Sequence, residues 1–108
     1  MGGGQALTIG LNHLELFSAV GAFSPAIPRE PETAFKSLLD AGQATNAKLK
    51  LLWIGCGKQE ARYNDAEAFA RLFAARGIKS TFSGIDGLHN YTLWRKFLID
   101  VAPLLFRE

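Results

Sequence analysis

Leu49-Lys50-Leu51-Leu52-Trp53-Ile54-Gly55-Cys56-Gly57-Lys58-Gln59-Glu60 sets a nearly unbroken apolar run against a glycine-rich stop and a polar continuation. A short apolar run bounded by turn residues reads as a strand buried on both faces, the kind a parallel sheet needs. Leu49 to Ile54 is therefore expected to be a central strand, Gly55-Cys56-Gly57 a tight turn at its C-terminal end, and Lys58 to Tyr63 a loop. Going forward, Asn64 with Glu67 three residues on resembles a capping box. Ala66, Phe69, Ala70 and Phe73 then fall at helical spacing, and Arg76-Gly77 supplies a stop. Ile78 to Ile85 reads as the next strand, with Asp86-Gly87-Leu88-His89 as the loop at its end. Trp94, Phe97, Leu98, Val101 and Leu105 define a closing helix, bent at Pro103.

Going backward, Pro31 suits the first turn of a helix whose stripe is Phe35, Leu38 and Leu39 and whose stop is Gly42. Phe17 to Phe23 is another buried strand, ended by Ser24-Pro25. Ala6 to Leu16 carries Leu7, Leu11 and Leu14 on one helical face. Helices alternating with apolar strands predict an α/β fold of about three parallel strands with flanking helices, joined by right-handed crossovers. Three strands are few for such a sheet, and at least one apolar edge is left without a neighbour. The reading is of one partial domain over residues 1–108.

Composition narrows the function. With 108 residues, 48% of them hydrophobic, the chain can hold one core and not two. A net charge of +2 with no run of Lys or Arg gives no footprint of a nucleic-acid or membrane-surface binder. No stretch reaches the roughly 18 to 20 apolar residues that span a bilayer. One cysteine and two distant histidines do not form a metal-site spacing, and no metal or organic cofactor is expected. Localisation stays open.

In open α/β sheets, reactive groups gather at the C-terminal ends of the strands. The loops after the second and third strands hold Glu60 and His89, one crossover apart. A carboxylate accepting the imidazole Nδ1–H would fix the tautomer and stabilise the imidazolium formed when the ring takes a proton from a hydroxyl. Asp65 and Asp86 compete for the acid role, but Asp86 suits a turn and Asp65 the first turn of a helix, so Glu60 stands first and Asp65 second. His13 and Cys56 read as structural, and Trp94 as core. Tyr91 alone is a candidate pocket residue.

The start, Met1-Gly2-Gly3-Gly4-Gln5-Ala6-Leu7, reads as the second half of a strand–turn–helix elbow of pattern G-x-S-x-G, in which small residues must follow the serine because strand and helix approach closely. A phosphate-binding loop would need a preceding strand and a Lys, and neither is present. Ser18, Ser24, Ser37, Ser80 and Ser83 lie in no elbow pattern.

Together, G-G-G-Q-A-L-x-I-G-L-x-H-L-x-x-F, G-A-F-S, K-L-L-W-I-G-C-G-K-Q-E and G-L-H-N-Y-T-L-W-R span essentially the whole chain. They closely resemble the C-terminal half of an esterase family of α/β-hydrolases that includes esterase D-like, feruloyl, acetyl xylan and enterochelin esterases. The resemblance implies an acyl-serine mechanism on an ester substrate, with His89 as catalytic histidine, Glu60 as catalytic acid and the backbone N–H of Met1 in the oxyanion hole. Two departures are a Glu where the family usually has Asp, and Leu88 where a small residue usually precedes the histidine. The serine itself and everything before it fall outside these residues. The chain is thus expected to be a C-terminal fragment of a serine ester hydrolase, inactive alone. The alternative is a non-catalytic module that self-associates through its open sheet edge.

Overall fold

The computed structural model describes residues 1–105. The elements run α1 (Gly2–Asn12), β1 (Ala19–Phe23), α2 (Pro31–Ala34), α3 (Lys36–Asp40), α4 (Gly42–Lys48), β2 (Leu51–Gly57), α5 (Tyr63–Ala75), β3 (Thr81–Ile85) and α6 (Tyr91–Leu105). The three strands form one parallel sheet in the order β1-β2-β3, with Ala22 opposite Ile54 and Ile54 opposite Phe82.

Side chains alternate across a strand, so each strand feeds both faces. Val20, Ala22, Leu52, Ile54 and Cys56 point into the larger core, where they meet Leu7 and Leu11 of α1, Phe35 and Leu39 before β2, and Phe69 and Phe73 of α5. Trp53, with Phe23, Leu51 and Ile85 beside it, points the other way and is covered by Leu93, Phe97 and Val101 of α6. Trp53 and Phe97 meet edge to face with centroids 5.3 Å apart. The result is helix, sheet, helix, with the C-terminal ends of all three strands at one rim.

Several boundaries differ from the sequence reading, each for a local reason. Gly55-Cys56-Gly57 is strand rather than turn, because β2 continues to pair with Ser83, Gly84 and Ile85. Helix α1 begins at Gly2 rather than Ala6 and ends at Asn12 rather than Leu16, where His13 N–H and then Leu16 N–H fold the chain into tight turns. Strand β1 starts at Ala19, leaving Phe17 exposed, and β3 starts at Thr81. Gly42 does not stop a helix but begins α4. A Cβ there would lie 1.9 Å from the Arg76 carbonyl oxygen, so the residue answers to close packing.

Asn64 does not cap α5. That helix starts at Tyr63, and the chain is led into it by backbone turns from Glu60 N–H to Gly57 O and from Tyr63 N–H to Glu60 O. The stop at Arg76-Gly77 is a Schellman closure: Ile78 N–H returns to Phe73 O and Gly77 N–H to Ala74 O, and Ile78 is buried in the same core as Phe73. On α6 the buried stripe is Leu93, Phe97 and Val101, while Leu98 and Leu105 face outward.

Candidate active site

Each strand's C-terminal end contributes one group to the rim: Ser24 follows β1, Glu60 follows β2 and His89 follows β3. Two loops are laced together to place the last two. Gln59 does most of this, its side-chain oxygen accepting from Gly87 N–H at 2.6 Å while its own N–H reaches Gly87 O at 3.3 Å. Lys58 N–H adds a bond to Ile85 O at 2.8 Å. Gly57 must be small, since a Cβ would stand 2.2 Å from Gly87 O and 3.1 Å from Glu60 Oε2. Asn90 then caps α6 by accepting from Leu93 N–H, which starts the helix directly after His89.

The two candidates for acid and base meet. His89 Nδ1 lies 2.8 Å from Glu60 Oε1. The Glu60 side chain is 6% exposed and the imidazole 57%, so the carboxylate is set inside and the ring faces the groove. Oε2 of the same carboxylate accepts from the Ser24 hydroxyl at 2.6 Å, from Gly57 N–H at 2.7 Å and from the Cys56 thiol at 3.4 Å. Burial alone would raise the Glu60 pKa. The donors from Ser24, Gly57, His89 and Cys56 outweigh it and hold the carboxyl below its ordinary value. An ionised carboxylate only accepts, so the shared proton sits on His89 Nδ1 and Nε2 is left as the basic nitrogen.

Of the rival acids, Asp65 lies in the first turn of α5, and Asp86 faces the Gln59 amide at 3.5 Å. His13 pairs with Glu15 on the surface at 3.1 Å. Burial, and then the neighbouring Glu60 carboxylate, push the Cys56 thiol up to about 12, which keeps it protonated and unreactive.

Two grooves flank His89, and Met1, 85% exposed at the head of α1, lines both. One, of about 350 Å³, runs past Gly3, Gly21, Phe23 and Trp94, and the other, of about 630 Å³, passes Ser24, Glu60, Arg62 and Leu88. The first turn of α1 reaches this rim because Gly3 and Gly4 let its backbone approach: a Cβ on Gly3 would lie 2.6 Å from Phe23 O and one on Gly4 2.8 Å from Ala26 O. A third groove, of about 710 Å³ around Lys50 and Lys79, lies at the opposite end of the strands, and neither Glu60 nor His89 lines it.

Two residues of the site escaped the sequence reading. Trp94 is half-buried rather than simply core. Its indole Nε1–H donates to Ser24 Oγ at 3.0 Å, and its ring stands edge-on to His89 with centroids 4.8 Å apart. Ser24, set aside because it fits no elbow, proves to be a buried partner of Glu60 with a left-handed φ of 47°. Its position just past a strand's C-terminal end was the available signal. Tyr91, the candidate pocket residue, packs on Trp94 but is 85% exposed and lines neither flanking groove.

Comparison with known proteins agrees with this architecture. The family described as "Putative esterase" matches residues 1–105. Among solved structures, a ferulic acid esterase is similar at 23% identity with a TM-score of 0.79, over 97% of this chain and 48% of its own. The S-formylglutathione hydrolase of Staphylococcus aureus is similar at 21% identity and a TM-score of 0.76, over 97% and 48%. The fluorophosphonate-binding serine hydrolase F of the same organism gives 18% identity and a TM-score of 0.80, over 99% and 51%. The chain spans about half the length of each.

Proposed function

The chain belongs to this esterase family of α/β-hydrolases, and from that premise we propose that it supplies the acid and base of a serine carboxylic-ester hydrolase, with the nucleophile carried on polypeptide beyond these residues. The observation that carries the reading is the 2.8 Å approach of His89 Nδ1 to a carboxylate whose other oxygen already holds three donors. In the proposed reaction His89 Nε2 takes the proton of the serine hydroxyl as its oxygen attacks the ester carbonyl, and returns it to the leaving alkoxide. Glu60 holds the imidazole in the tautomer with Nε2 free and stabilises the imidazolium. The backbone N–H of Met1, which lines both grooves together with His89, is the proposed donor to the developing oxyanion. Water then repeats the sequence on the acyl-serine. The substrate is a small-molecule or carbohydrate-linked ester, and the chain alone is expected to be inactive.

A chimera tests this: the half of the Staphylococcus aureus serine hydrolase not covered by the match, joined directly ahead of Met1. The expected result is fluorophosphonate labelling of its serine and ester turnover that falls by about 10⁶-fold with His89→Ala, as removal of a triad histidine does. A folded, labelled chimera whose turnover is indifferent to His89→Ala and Glu60→Ala would overturn the proposal.

A second reading has its own observation. Strand β1 pairs only with β2 among the described residues, and Leu16 and Phe17 lie exposed at its start. A non-catalytic module that self-associates through that edge would use this surface.

A further inference from the structure

Glu60 is held asymmetrically. Its Oε2 carries Ser24, Gly57 N–H and Cys56, and its Oε1 carries His89. The protons of this arrangement can be assigned by counting. An indole N–H only donates, so at 3.0 Å Ser24 Oγ accepts from Trp94. The serine's single proton is then directed to Glu60 Oε2 at 2.6 Å. Trp94 therefore acts at both ends of the pair, orienting the hydroxyl that braces the carboxylate and setting its ring edge-on to the imidazole. Ser24 is buried, and its left-handed φ of 47° is a conformation a serine seldom adopts unless its surroundings require it.

Resting on the reading of Glu60 and His89 as acid and base, we propose that Ser24 and Trp94 are positioning residues, which act through the Glu60 carboxylate to hold Oε1 where it captures His89 Nδ1–H. Neither is assigned a proton-transfer step. Without the Ser24 hydroxyl, Oε2 keeps only the backbone N–H and a long thiol contact, the carboxylate is free to turn about its last bond, and the imidazole loses its fixed acceptor. Without the indole N–H, the hydroxyl rotor is no longer forced toward Glu60.

The tautomer of His89 in the isolated chain reads this out without needing catalysis. With ¹⁵N-labelled histidine, at a pH where the ring is neutral, the Nδ1 and Nε2 shifts report which nitrogen holds the proton. A neutral imidazole free in water favours Nε2–H. The wild type is expected to hold it on Nδ1, and Glu60→Ala to return the ring to the free preference, which sets the full scale. Ser24→Gly, which suits the left-handed backbone, Ser24→Ala, which keeps the Cβ, and Trp94→Phe, which keeps an aromatic ring, are each expected to move the ring at least half of that way. A merely structural role for either residue would leave the tautomer fixed while the protein stays folded. If Glu60→Ala shifts the tautomer and neither the Ser24 variants nor Trp94→Phe does, the positioning role is wrong and the acid–base pair stands. If Glu60→Ala leaves the tautomer unchanged, the pair itself is wrong and the positioning role falls with it.

Discussion

Glu60 shows at the scale of one residue how a carboxylate is made dependable inside a small protein. Burial disfavours its charge, and four donors reverse the balance. Because its folded pKa lies below the ordinary value of 4.5, the ionised form stabilises the fold. That contribution is complete above the ordinary value and is lost as pH falls through the lowered one. Urea unfolding across the acid range is expected to show the wild type losing stability more steeply than Glu60→Gln, and parallel profiles would contradict it. Ser24→Ala removes a hydrogen bond to a charged group and is expected to cost about 1.5–3 kcal/mol. Ser24→Gly should cost less, because glycine takes the φ of 47° without the penalty of roughly 1–2 kcal/mol that a side chain incurs. Matched denaturation midpoints check the order of the two variants. Glu60 and His89 were legible as residues because carboxylate and imidazole types at strand ends announce their chemistry. Ser24 was not, because its partners lie 36 and 70 residues away and only the folded sheet brings them together.

Helix α6 ties stability to the site. Its inward stripe fixes it to the sheet through Phe97, which meets both Trp53 and Phe23, and one turn earlier the same helix delivers Trp94 to Ser24. Phe97→Ala is expected to cost about 3–5 kcal/mol, and, in a Trp53→Phe background that leaves Trp94 as the one indole, to free that indole, read as a red shift of its emission. An unshifted emission would show that the helix is held independently of Phe97. The sequence pattern located this helix but assigned Leu98 to its buried stripe in place of Leu93, since one-residue rotation is poorly fixed where apolar residues are dense. The same limit applied at β2. The glycines that look like a turn answer to close packing, Gly57 because the loop carrying Gly87 crosses it and Gly55 because the Trp53 and Phe97 rings press on it, tertiary demands no local rule contains. Gly57→Ala is expected to push the two loops apart and release His89 from Glu60, checked by the same histidine tautomer; retention of Nδ1–H would contradict it.

For the molecule as a whole, alternating helices and apolar strands were enough to read a parallel α/β sheet; among the described residues β1 and β3 are both edges, and that the β1 edge would lack a neighbour was legible from the strand count. Ser18 O and Ser24 N–H both bond toward β2, so Ala19, Gly21 and Phe23 turn their backbone groups outward on that edge. Such an edge invites pairing with another chain. The isolated chain is therefore expected to self-associate in light scattering, and Ala19→Pro, which deletes one outward N–H at the first strand residue, to shift it toward monomer. A wild type that is monomeric at all concentrations would remove the edge as an interface.

The most direct test of the reading that these residues hold acid and base but not the nucleophile is a paired assay on the purified chain: hydrolysis of a short-chain p-nitrophenyl ester, with and without His89→Ala, alongside fluorophosphonate labelling. The expected result is no labelled serine and no turnover that depends on His89. Stoichiometric labelling of a serine within the chain, with hydrolysis abolished by His89→Ala, would contradict it and put a complete catalytic set inside 108 residues.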